Sequence, residues 1–149
     1  GGDFELATYH HERAVELCPS DAYIRSRYAS LLIYLGEPQQ ALDEIHRAMR
    51  IDPFCPDVLF EDEGMSYYWL GEFTAAIDSL RKLKVPTRNS LFYHACALAK
   101  TEQTEKATET LKQAITTMDM TVERFVNSQE YKEQEKCDEL LETLNAIAV

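Results

Sequence analysis

The stretch that decides the fold is residues 22–53, AYIRSRYASLLIYLGEPQQALDEIHRAMRIDP. It predicts two amphipathic helices joined by a tight turn, because apolar residues recur at helical spacing on both sides of Gly36. Gly36 stands where a left-handed C-cap is required, and Pro38 falls in the first turn of the second helix, where its missing N–H costs nothing. Asp52-Pro53 ends that helix. One such hairpin cannot bury its own apolar face, so the sequence predicts neighbouring hairpins.

Small residues repeat along the chain at intervals close to 34 positions. Aligning the chain with itself pairs Gly36 with Gly71 and superposes four alanines at separations of 34, 35 and 31: Ala7, Ala41, Ala76 and Ala107. This pattern resembles the tetratricopeptide repeat, most specifically in residues 64–86. The resemblance implies an all-α fold. It would be an α-solenoid, a right-handed superhelical stack of antiparallel helix hairpins with a C-terminal capping helix.

The period also predicts where each repeat begins and ends. One departure from the pattern is Glu102, which stands where the turn glycine of the fourth repeat belongs. Asn89 is the predicted N-cap of that repeat. The predicted organisation is a cloning scar at 1–2, a half repeat at 3–18, three repeats at 21–53, 56–86 and 89–118, and a closing segment at 119–149. Within it we expect helices at 73–84, in the third repeat, and at 131–148, as the cap.

Composition excludes several kinds of partner. Fifteen basic residues against 26 acidic ones give a net charge of −11, which would repel a phosphate backbone, so we expect no nucleic-acid partner. No run of about 18 apolar residues occurs, so we expect no membrane partner. The four cysteines are scattered without C-x-x-C spacing, which favours free thiols in the cytoplasm.

The sequence carries no recognisable catalytic motif. Its four histidines lack metal-ligand spacing, and the chain has neither a glycine-rich phosphate loop nor a G-x-S-x-G nucleophile motif. We therefore predict no cofactor, no metal site and no enzymatic activity in this segment.

The candidate functional surface is a concave groove, because the first helix of each hairpin lines the inner side of such a stack. Aromatic residues dominate the predicted lining, and aromatic side chains bury much area at small entropic cost in interfaces. The candidate partner-binding residues are Tyr23, Arg27, Tyr34, Glu61, Met65, Tyr68, Trp69, Phe92, Tyr93 and Lys100. The alternative is that several of these aromatic residues pack internally, or that the C-terminal cap folds into the groove.

The C-terminal part carries a second, finer resemblance. Residues 68–71 (YWLG), 121–125 (TVERF), 131–132 (YK) and a Leu-rich stretch at 140–144 are similar to the repeat regions that follow bacterial class III adenylate/guanylate cyclase domains. The chain departs from that group at Glu130, where the group has proline. This resemblance implies a regulatory segment of a larger bacterial protein, with any cyclase activity in a domain upstream of it.

Three functions fit these patterns. We favour a non-catalytic scaffold that binds a peptide or helix of a protein partner in the concave groove. The first alternative is a homo-oligomerisation arm, in which the apolar stripe of residues 3–17 pairs two chains. The second alternative is a small-ligand sensor, in which the groove and the cap enclose a cavity.

Overall fold

The computed structural model describes residues 2–147, and every regular element in that range is an α-helix. The helices are α1 (Gly2–Leu17), α2 (Ala22–Leu35), α3 (Pro38–Ile51), α4 (Val58–Trp69), α5 (Phe73–Leu80), α6 (Arg88–Lys100), α7 (Thr104–Met118), α8 (Val122–Asn127) and α9 (Gln134–Ala146). The predicted all-α class is confirmed. Gly1 of the predicted cloning scar and the predicted end of the cap at Ala148 lie outside the described residues.

Consecutive helices pair in sequence order. The hairpins are α2 with α3, α4 with α5, and α6 with α7, and the second helix of each of the first two hairpins packs on the first helix of the next. The first helices also contact each other, α2 with α4 and α4 with α6. These three helices form the wall of the concave groove, while α1 packs on α2.

Backbone geometry at the turns follows the predicted glycine pattern. Gly36 and Gly71 adopt left-handed φ values of 85° and 78°, which residues with a Cβ rarely reach. Glu102 occupies the same turn position in the α6–α7 hairpin with φ of 61°, so it bears steric strain that glycine would relieve. At Gly64 the requirement is close packing instead, because an added Cβ would lie 2.5 Å from Cγ of Leu80.

Side-chain caps begin three of the helices, α2, α6 and α8. Asp21 accepts a hydrogen bond from the Ile24 amide at 3.0 Å. The predicted cap Asn89 is wrong: Thr87 caps α6 in a reciprocal capping box with Ser90. Helix α5 ends at Leu80 rather than at 84, and the amide of Lys84 instead donates to Oδ2 of Asp57 at 2.7 Å.

The C-terminal part does not continue the stack. Helix α8 packs its Phe125 flat on Phe92 of α6, with ring centroids 4.2 Å apart and planes 8° apart. The cap was predicted to begin at Tyr131, but α9 begins only at Gln134 and packs on α6 and α8. Between them the chain is extended and enters the concave groove. None of the helices within residues 2–147 has the length and apolarity that crossing a membrane requires.

Candidate functional site

Residues 129–133 lie in the concave groove, extended through Tyr131 and bent at Lys132 and Glu133, and we refer to this stretch as the strap. Gln129 and Tyr131 are buried, whereas Glu130 and Lys132 are exposed, so successive side chains alternate between the groove and the outside. The Lys132 amide donates to the Tyr34 carbonyl oxygen at 2.9 Å. The strap is therefore held in the way that a groove holds a short extended peptide.

Hydrogen bonds between the strap and the groove wall form one continuous chain. The Trp69 indole donates to the Tyr131 hydroxyl (2.8 Å), which bonds to the Tyr93 hydroxyl. The Tyr93 hydroxyl donates to the Gln129 amide oxygen (3.2 Å), and the Gln129 amide nitrogen donates to Oδ1 of Asn89 (3.1 Å).

The last link of this chain is the bond from Asn89 to a carboxylate oxygen of Glu61, at 3.3 Å. Indole only donates and an ionised carboxylate only accepts, so every bond between Trp69 and Glu61 runs in the same direction. Burial raises the pKa of both phenols, of Tyr93 and of Tyr131, which keeps them protonated and able to donate. Tyr131 and Gln129 of the strap are therefore the second and fourth of the six residues that these hydrogen bonds connect.

Aromatic packing reinforces these bonds. The Tyr131 ring lies 4.8 Å from that of Tyr34 and 5.4 Å from that of Trp69, measured between centroids. The Lys136 ammonium sits 4.3 Å from the centroid of the Trp69 ring, within range of a cation–π interaction. Tyr131 thus contacts side chains from all three helices of the groove wall.

Four of the predicted partner-binding residues are not on an open surface. Met65, Tyr68, Phe92 and Tyr93 are buried, with at most 3% of each residue exposed. Phe92 and Tyr93 pack against Phe125 of α8. The placement of these four in an open groove is therefore wrong. Internal packing and a cap that enters the groove, the alternatives left open by the sequence, describe them correctly.

The other six predicted residues keep contact with solvent. Tyr23 and Arg27 are exposed on α2, whereas Tyr34 and Trp69 are half-buried beside Tyr131. The remaining two predicted residues, Glu61 and Lys100, already have partners within the protein. Glu61 accepts hydrogen bonds from Thr87 and Asn89, and Lys100 lies 3.9 Å from Glu139 of α9.

The part of the groove that the strap leaves open has a distinct electrostatic character. Burial raises the pKa of Asp62 to about 7, although a hydrogen bond from Ser30 opposes that shift. Burial and the nearby Asp62 raise the pKa of Tyr34 to about 12. The exposed Arg27 lowers the Asp62 pKa and Arg88 lowers that of Tyr34. Two guanidinium groups thus stand near a phenol that stays neutral and a carboxyl that is only partly ionised at neutral pH.

A cleft of about 320 Å³ opens in this region. Its lining is Phe4, Leu31, Tyr34, Arg88, Ser128 and Glu130. We refer to this cleft together with Tyr23, Arg27 and Glu61 as the open half of the concave groove. Arg88 is not among the predicted residues because α6 begins two residues earlier than the sequence predicts. Tyr131 is missing because residues from 131 onward were assigned to a helix, and Gln129 because it falls in the break before that helix. Their alternation with charged residues was the available signal for an extended segment.

Residues 2–147 contain no cluster of three or more histidine, cysteine or acidic side chains that would hold a metal ion. The four cysteines carry free thiols. In place of the cavity that a small-ligand sensor requires, the strap and Phe125 fill the rest of the groove, which we refer to as the covered half.

Solved structures of two other proteins resemble this architecture. The crystal structure of MamA aligns with 97% of this chain and 86% of its own, at 17% identity and a TM-score of 0.70. A second MamA structure gives a TM-score of 0.68 at 17% identity, covering 97% of this chain and 80% of its own. YrrB, described as a TPR protein with an unusual peptide-binding site, aligns with 98% of this chain and 78% of its own, at 18% identity and a TM-score of 0.64.

The chain has the tetratricopeptide-repeat fold. No protein-family profile matches the sequence. No curated protein matches it either. The predicted α-solenoid of helix hairpins is thus confirmed by structural likeness, and identities below a fifth carry the fold alone.

Proposed function

We propose that this tetratricopeptide-fold chain is a non-catalytic interaction scaffold that binds an extended segment of a protein partner in its concave groove. One observation carries the proposal: the groove already holds an extended stretch of its own chain through alternating side chains and a backbone hydrogen bond. Recognition of an extended peptide needs these same elements. YrrB, whose fold is similar, is described as having a peptide-binding site.

The open half is the surface on which we place the partner. Tyr23 is 72% exposed, and the exposed Arg27 and Arg88 flank the half-buried Tyr34 and Glu61. Aromatic and arginine side chains are the residue types most enriched among interface hot spots. Opposite charges side by side favour a ligand that carries both signs. This is the mixed chemistry of an ordinary polar peptide.

A selection experiment tests this placement. Dodecamer peptides displayed on phage are selected on the immobilised chain, and the affinities of synthetic hits are measured by fluorescence anisotropy. Arg27→Ala combined with Arg88→Ala should weaken binding by ~10-fold or more, since interface hot spots exceed 1.4 kcal/mol. Arg50→Ala, an exposed arginine on α3, is the matched control and should leave affinity unchanged. Hits that are insensitive to the double variant would place binding elsewhere.

The finer assignment is that the chain is a cytoplasmic regulatory segment of a larger bacterial protein, such as an adenylate cyclase. The residues at 68–71, 121–125, 131–132 and 140–144 support it. The encoding gene should then carry a class III cyclase domain upstream of this segment, and a gene without one would refute the assignment. Catalysis would belong to that domain, because the segment itself shows no catalytic constellation. The net charge of −11 argues against nucleic acid as a ligand.

A second candidate function is self-association through α1. Leu6 and Tyr9 are each 57% exposed and Leu17 is 71% exposed, so the outer side of α1 presents apolar groups to solvent. Sedimentation velocity over a hundredfold dilution measures the monomer–dimer equilibrium. Leu6→Gln with Tyr9→Gln should leave only monomer if this face pairs two chains. A wild-type chain that is monomeric throughout would rule this function out.

A further inference from the structure

The strap covers a site with a definite chemical requirement. The groove wall offers an indole donor on Trp69, a hydroxyl on Tyr93 and an amide on Asn89. A group between Trp69 and Tyr93 must accept on one side and donate on the other, and a phenol does both. A group between Tyr93 and Asn89 must do the same, and a primary amide does both.

Spacing adds a second requirement. Tyr131 and Gln129 are two residues apart on an extended backbone, so both side chains project to the same side. The residue after the tyrosine must also provide an amide hydrogen for the Tyr34 carbonyl oxygen, which excludes proline there. The site therefore selects the pattern Gln-x-Tyr-x, with any residue except proline in the last position.

The strap is able to leave without unfolding its neighbours. Of residues 128–133 only Gln129 and Tyr131 are buried. The helices on each side keep their own anchors, Phe125 on Phe92 and the buried Leu140 and Leu144 of α9.

We propose that the strap-covered site recognises an extended partner segment that presents a tyrosine two residues after a glutamine, and that the strap keeps this site closed until such a segment replaces it. The incoming segment remakes the hydrogen bonds to Trp69, Tyr93 and Asn89 and the backbone bond to Tyr34. The strap competes as a tethered ligand, at an effective concentration on the order of millimolar. This inference rests on the proposed function, because it requires that the groove bind peptides, and it adds the ligand pattern and its regulation.

The test uses the full chain and the synthetic peptide NSQEYKEQEK, which reproduces residues 127–136. Trp69 is the only tryptophan in the protein, and the peptide has none. Because the Trp69 indole lies at the site, its fluorescence emission reports peptide binding. In the Gln129→Ala, Tyr131→Ala chain the strap has lost both anchors. The peptide should bind this variant ~100-fold more tightly than wild type, because the tethered competitor is gone.

Matched peptides separate recognition from simple cavity filling. With the same variant chain, the Tyr131→Phe peptide should bind ~10-fold more weakly, since it leaves the indole N–H unpaired. The Gln129→Glu peptide should also lose ~10-fold, because a carboxylate has no hydrogen to donate to Asn89. Equal affinities for all three peptides, or equal binding to wild type and variant, would overturn the proposal.

A milder chain variant covers the case in which the double variant does not fold. Tyr131→Phe keeps the ring and removes only the hydroxyl, and circular dichroism checks its helix content. The unchanged peptide should bind this variant ~10-fold more tightly than it binds wild type. No gain in affinity overturns the proposal.

The two proposals fail separately. The library experiment is read through Arg27 and Arg88. The strap-peptide experiment is read through the partners of Gln129 and Tyr131, which are different residues.

Discussion

The buried carboxyl of Asp62 makes the stability of this protein depend on pH in an unusual direction. The side chain lies on α4 beneath the open half, and the groups around it are Ser30, which donates a hydrogen bond, Arg27, which lowers its pKa, and Glu61, which raises it. Burial dominates and raises the Asp62 pKa from its ordinary value of 3.8 to about 7. Between about pH 4 and pH 7, Asp62 therefore stays protonated in the folded protein, whereas it is ionised in the unfolded chain.

The sign of the effect follows from proton linkage. Between pH 4 and pH 7 the folded state binds more protons at this site than the unfolded state, so stability falls as pH rises, by about 1.4 kcal/mol for each pH unit. Asp62→Asn removes the titration and keeps a carbonyl oxygen that accepts from Ser30. Between pH 5 and pH 8, the free energy of unfolding of Asp62→Asn should gain roughly 2–3 kcal/mol relative to wild type.

Urea denaturation followed by far-ultraviolet circular dichroism at pH 5, 6, 7 and 8 measures this difference. Taking the difference between variant and wild type cancels all groups that titrate equally in both chains. Asp78→Asn, at an exposed carboxylate on α5, is the control and should change the pH profile little. Parallel stability profiles for wild type and Asp62→Asn would refute the reasoning, because they would mean that this carboxyl titrates alike in the folded and unfolded chains.

Three further predictions concern the fold, and urea denaturation measures each as a free energy of unfolding. Glu102→Gly should stabilise the protein by about 0.5–1 kcal/mol by relieving a left-handed backbone, whereas Gly71→Ala, at a turn with open space around the added carbon, should cost about 1 kcal/mol. Phe125→Ala should cost about 3–5 kcal/mol if α8 belongs to the core, against less than about 0.5 for Phe54→Ala, which is 94% exposed. Gly64→Ala should cost about 1–3 kcal/mol through overpacking of α4 on α5. A neutral Phe125→Ala or Gly64→Ala, or a destabilising Glu102→Gly, would contradict the packing described above.

The positions of the helix hairpins are predicted well because the residues that determine them lie close together in the sequence. The recurring alanines Ala41, Ala76 and Ala107 are all at most 1% exposed, because each lies where two helices approach closely. Gly36 and Gly71 adopt the left-handed conformation that the pattern required. Each of these features depends on residues near it in the sequence, so a repeat of about 34 positions is enough to place the hairpins.

The course of residues 131–133 depends on distant contacts, and the prediction that the cap helix begins at Tyr131 is wrong. Residues 131–133 could have continued the helix that follows, yet Tyr131 gains contacts with Tyr34, Trp69 and Tyr93, which lie 38 to 97 positions earlier in the chain. An aromatic residue on the inner side of a first helix has the same spacing whether it meets a partner or its own C-terminus. Periodicity alone therefore does not separate a binding groove from a filled one.

The polar tips of the strap explain why this groove is filled by glutamine and tyrosine rather than by leucine and phenylalanine. The wall presents the Trp69 indole N–H and the Tyr93 hydroxyl in a region with little access to water. An apolar strap of the same shape would bury as much surface but would leave these groups unpaired, at a cost of about 1–3 kcal/mol each. A bond chain that starts at a pure donor and ends at the Glu61 carboxylate tolerates only links that accept and donate in the same order. Shape alone thus makes the groove receptive to an extended segment, and the direction of its hydrogen bonds determines which segment fits.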